Sequence, residues 1–62
     1  MPTTQDVLRA FDYFGDSVLQ VQALQLRLES MGFAADAVVS AINEAVTSGH
    51  LQLSPLGEIR RS

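Results

Sequence analysis

The chain has 62 residues, with seven acidic residues against four arginines, no lysine and no cysteine, for a net charge of −3. That length holds one domain; the lack of cysteine excludes disulfides and thiolate metal sites; the acidic balance runs against the basic patch that nucleic-acid modules carry. Hydrophobic residues make up 47% of the chain, a high share for a domain that buries only about 60% of its unfolded surface, so either the core is dense or a partner, a second copy being the first expectation, covers part of the apolar surface.

The first segment, MPTTQDVL, shows no basic region ahead of an apolar one, and no run of about 18 apolar residues follows anywhere. The expectation is a cytoplasmic protein with no membrane contact. Thr3 or Thr4 is a good N-cap, and Asp6 falls in the first turn, where a carboxylate meets the positive end of the helix dipole. Val7, Leu8, Phe11 and Phe14 recur at helical spacing, and Gly15 supplies a stop. A first helix over about 3–14 is predicted. Its aromatic residues read as core, with Tyr13 partly exposed.

Asp16-Ser17 is turn chemistry. Val18-Leu19-Gln20-Val21 is too short for a helix and reads as a strand over 18–21, able to pair with a later hairpin. The other reading has this run opening the second helix. That helix is predicted over about 22–31, with Leu24, Leu28 and Met31 inward, Arg27 and Glu29 toward water, and Leu26 off the stripe. Gly32 ends it, and Phe33 folds back on the last turn.

Asp36 is the expected N-cap of a third helix over 36–48. Val38, Val39, Ile42, Ala45 and Val46 form its apolar face; Ser40, Asn43, Glu44 and Thr47 take the other side. Gly49 closes it. His50 to Leu53 alternates as a half-buried strand, with Leu51 and Leu53 on one face. Ser54-Pro55-Leu56-Gly57 has the residues of a type I turn. Glu58-Ile59-Arg60 returns with Ile59 inward, so a hairpin 50–53/58–60 is predicted. The fold class is mainly α with a small β-hairpin, one domain over 1–62.

The leucine helix QALQLRLES, the corner MGF, the helix VVSAINEAV and the stretch SGHLQLSPLGEI resemble a winged helix-turn-helix domain over nearly the whole chain. The resemblance implies a third helix that enters the DNA major groove, with Ser40, Asn43 and Thr47 facing bases and Arg60 and Arg61 meeting phosphates. This sequence departs from that use. The third helix carries Asp36 and Glu44 and no cation, whereas base readout leans on arginine and affinity on phosphate neutralisation. A protein-interaction role, as a homodimer or with another protein, is therefore placed ahead of DNA binding. A shorter stretch, Leu28 to Phe33 followed by Ala41-Ile42, is similar to the ubiquitin-associated domain, a three-helix module whose Met-Gly-Phe loop binds ubiquitin. The plainer reading of Met31-Gly32-Phe33 is a helix stop with a hydrophobic clasp.

No catalytic, metal or cofactor motif is found, and no small-molecule substrate is implied. His50 stands alone beside Gly49, and Asp12 with Asp16 reads as a solvated helix end. The large apolar residues left over once each face is assigned inward are Leu19, Leu26, Val39 and Leu56. They are the candidates for a protein interface.

Overall fold

A computed structural model describes residues 2–62. The elements follow the order α1 (Thr4–Tyr13), β1 (Val18–Gln20), α2 (Val21–Ser30), α3 (Ala35–Thr47), β2 (Leu51–Leu53) and β3 (Glu58–Arg61). The strands form one antiparallel sheet in the order β1-β3-β2. Three helices and this small sheet make a winged-helix-like layout. The stretch from 51 to 61 forms strands, so the three-helix module suggested by the shorter resemblance is not the fold of this chain.

α1 begins on a capping box. The Asp6 amide donates to Thr3 Oγ1 at 3.2 Å, and the Thr3 amide donates to Asp6 Oδ2 at 3.0 Å. Two orphan donors of the helix start are thereby satisfied. Pro2 is buried just before the cap, and buried Val7 stands at the fourth helical position. These are the two positions of a hydrophobic staple.

α3 ends on a complete Schellman motif. The Gly49 amide donates to the Val46 carbonyl at 3.1 Å, and the His50 amide to the Ala45 carbonyl at 3.0 Å. Gly49 sits at φ +87°, which a residue with a Cβ adopts only at a cost. The hairpin between β2 and β3 is a type I turn followed by a left-handed glycine. Gly57 donates to the Ser54 carbonyl at 3.1 Å, and the Ser54 amide donates to the Glu58 carbonyl at 2.8 Å.

The core lies where α1, α2 and α3 meet the inner face of the sheet. Val7, Leu24, Leu28, Val38, Ile42, Leu51 and Ile59 are fully or almost fully buried, and no polar or charged residue is buried among the described residues. Leu8, Phe14, Val21, Phe33 and Val46 pack around this cluster.

Several expectations are corrected. Leu19, expected to be left over for an interface, is only 6% exposed. β1 pairs with β3, Leu19 stands opposite Ile59, and both face inward. Val21 belongs to α2 and not to the strand. Ala34, not Asp36, is the N-cap of α3; the helix starts earlier because Ala35 is a strong helix former, and Asp36, inside the first turn, accepts the Ala37 amide at 3.0 Å. Met31 was expected inward but is the exposed C-cap of α2, because the helical period stops before it. Leu53 shares the inner face with Leu51 but adjoins the turn, beyond the helices' cover, and is exposed. Arg27 does not extend into water. Its guanidinium lies 3.7 Å from the Tyr13 ring centroid, a cation–π stack across α1 and α2.

Candidate interaction surface

The outward face of α3 is set by its buried one. Val38, Ala41, Ile42 and Ala45 face the core. Asp36, Ser40, Asn43 and Thr47, at i, i+4, i+7 and i+11, are therefore turned to solvent as one narrow stripe, and all four are exposed. Val39 and Glu44 flank it on either side and are also exposed. Ser40, Asn43 and Thr47, which the resemblance would set against bases, all lie on this stripe.

Arg60 and Arg61 do not act together. Successive strand residues point to opposite sides. Arg60 stands in a row with Val18 and Gln52 on the outer sheet face. Arg61 reaches the end of α1, where its Nη1 lies 2.7 Å from Asp12 Oδ1 and 2.8 Å from Oδ2. It brings a cation to a helix C-terminus whose last turn has none. This ion pair is the one formed among the described residues, and Arg27 is committed to Tyr13. Arg9 and Arg60 remain as the freely displayed cations.

Of the remaining interface candidates, Leu26 is 66% exposed, Val39 43% and Leu56 81%. Leu56 crowns the turn at the wing tip. Leu26 lies in the wall of a shallow groove of ≈ 230 Å³ along the outer face of α2, with Gln22, Gln25 and Glu29. Tyr13, Val18, Met31 and Leu53 are further large apolar residues at the surface. A second, larger cleft of ≈ 440 Å³ opens where the end of α1 and the start of β1 meet the end of β3. Its residues include Phe11, Asp16, Val18 and Arg60. Nothing in the sequence order announced it, since it joins two segments distant along the chain, 11–18 and 60–61.

Asp6 titrates below its ordinary range. Its carboxylate is held below the usual value of 3.8 by the Thr3 backbone hydrogen bond first, and then by the Thr3 hydroxyl. That is capping chemistry at an exposed helix start. Among the described residues no three His, Asp or Glu side chains group as metal ligands, and no helix is long and apolar enough to cross a membrane.

Comparison with known proteins gives no match to a family model, a curated protein or a solved structure.

Proposed function

We propose that the domain is a non-catalytic interaction module that binds protein, in the first instance a second copy of itself, through the outward sides of α2, α3 and the wing tip. The exposure of Leu26, Val39 and Leu56 on a chain with no disulfide carries this reading. Scattered apolar residues are ordinary at a protein surface. Leu56 is less ordinary: the third position of a type I turn accepts most residues, so the turn itself gives no reason for a leucine that is 81% exposed there. Full burial of each such side chain contributes about 1.5–3 kcal/mol before the cost of association.

Charge supports the same ranking. The exposed stripe of α3 bears Asp36, flanked by Glu44, and no cation. A duplex would meet carboxylates there, and Arg61 would have to leave Asp12 to reach a phosphate. The competing reading is a DNA-binding regulator that uses Ser40, Asn43 and Thr47 as the winged-helix resemblance implies; their shared exposure favours it. Sedimentation equilibrium with and without duplex DNA separates the two. A dimer that forms without DNA supports the first. A monomer that binds one duplex at nanomolar concentration, with strong salt dependence, overturns it.

A further inference from the structure

β1 is an edge of the sheet, because the strands run in the order β1-β3-β2. Two observations fix which of its backbone groups meet β3. The Val21 amide donates to the Gly57 carbonyl, and Leu19 stands opposite Ile59. Backbone groups alternate in direction along a strand. Leu19 and Val21 therefore turn theirs toward β3, while Val18 and Gln20 turn theirs outward, where no strand lies. The Val18 amide and carbonyl and the Gln20 amide have no hydrogen-bond partner among the described residues. The Gln20 carbonyl belongs to α2, of which Gln20 is the N-cap.

This edge is accessible. Asp16, Ser17, Val18 and Gln20 are all exposed, Val18 by 42%. The other edge strand, β2, is covered at Leu51, which is 1% exposed. β1 also lacks the usual guards of an edge: Val18, Leu19 and Gln20 include no charge and no proline. Shortness alone protects it.

We infer that β1 pairs antiparallel with β1 of a second copy, about a twofold axis beside Val18, so that the two three-stranded sheets join into one. An amide and a carbonyl side by side on an extended residue are complemented by another extended residue, and strand addition at a sheet edge uses that pairing. A second copy supplies the match. Val18 donates to the partner's Val18 and accepts from it. The side chains agree with the same axis. Val18 meets the partner's Val18 on the outer sheet face, apolar against apolar. Asp16 and Gln20 lie two residues to either side of Val18 and exchange places across the axis. Each carboxylate thus faces a glutamine amide and not its own counterpart, so two chains of net charge −3 meet here without opposing like charges. The inference rests on the self-association reading and adds a backbone seam to it.

The test reads the Val18 amide directly. Hydrogen exchange of the isotope-labelled wild type is followed by NMR over a concentration series, and sedimentation equilibrium gives the fraction of dimer in each sample. We expect Val18 to exchange fast in dilute protein and to slow by at least about tenfold as the dimer forms. Leu19, in the ladder with β3, should be protected throughout. A second measurement uses the chain made by chemical synthesis with an Nα-methyl group on Val18. The change removes the outward donor and keeps the side chain and the β3 ladder. This chain should fold, by circular dichroism, and dimerise at least about tenfold more weakly. Fast Val18 exchange in a sample that sediments as a dimer overturns the inference and leaves self-association through the helices standing. A methylated chain that folds and dimerises like the wild type does the same. A wild type that stays monomeric to millimolar concentration overturns both readings. Should the methylated chain not fold, the exchange series decides alone.

Discussion

Thr3 and Asp6 hold the start of α1 together, and each makes a different prediction. Thr3→Ala removes the acceptor for the Asp6 amide and should cost ~1 kcal/mol, read from the urea midpoint. Asp6 has a folded pKa below its value of 3.8. The folded chain therefore holds its proton less tightly than the unfolded one. The stabilisation is present above about pH 4 and is lost as pH falls through the lowered folded value. Asp6→Asn should thus lie below the wild type in stability at neutral pH, and the gap should close as pH falls through the lowered folded value. A gap that stays constant as the carboxylate is protonated would assign the effect to something other than ionisation. Arg61 and Asp12 are both about half exposed, so breaking their bridge by Asp12→Asn should cost no more than ~1 kcal/mol.

At the scale of elements, α3 is the one the rest of the core packs around. Ile42 is 2% exposed, and Ile42→Ala should cost ~2–5 kcal/mol, enough to unfold a domain of this size at equilibrium. Circular dichroism on heating would show it; a variant with an unchanged transition would place the core elsewhere. The elements themselves were legible where local chemistry decides them. Gly15, Gly32 and Gly49 are backbone stops, and Ser54-Pro55-Leu56-Gly57 is a turn by residue type alone. The start of α3 was not legible, because Ala34 caps it with no side-chain hydrogen bond. Leu19 was misplaced for another reason: its burial depends on a strand forty residues further on, opposite Ile59. Arg27 was misplaced because its partner Tyr13 is on another helix. Of the surface, the α3 stripe followed from helical period alone. The separation of Arg60 from Arg61 and the cleft beside them needed the sheet register.

For the whole molecule, the question is whether one copy covers enough apolar surface. Wild-type protein should sediment as a dimer at micromolar or higher concentration, and closed twofold pairing is the expected form. Leu26→Asp or Val39→Asp should give a folded monomer, since both side chains are already exposed and contribute little to the core. A wild type that stays monomeric to millimolar concentration removes self-association. With random duplex DNA at physiological salt, binding should be no tighter than ~10⁻⁴–10⁻⁶ M, the non-specific range. Tight, salt-sensitive binding that Arg60→Ala abolishes would restore the wing to the role the resemblance implies.

The bond from the Val21 amide to the Gly57 carbonyl, at 2.9 Å, bears on how the domain is made. α2 has no side-chain cap of its own, and a carbonyl from the hairpin loop satisfies the amide of its first residue. On a ribosome, α1 can nucleate from its own capping box once its residues emerge. α2 gains this bond, and its packing against the sheet, only after Gly57 has been synthesised and the hairpin has folded back. Closing so long a loop is slow relative to helix growth. The nascent chain therefore exposes Leu24 and Leu28 until then, and that interval is when chaperone binding or misassociation would act on it.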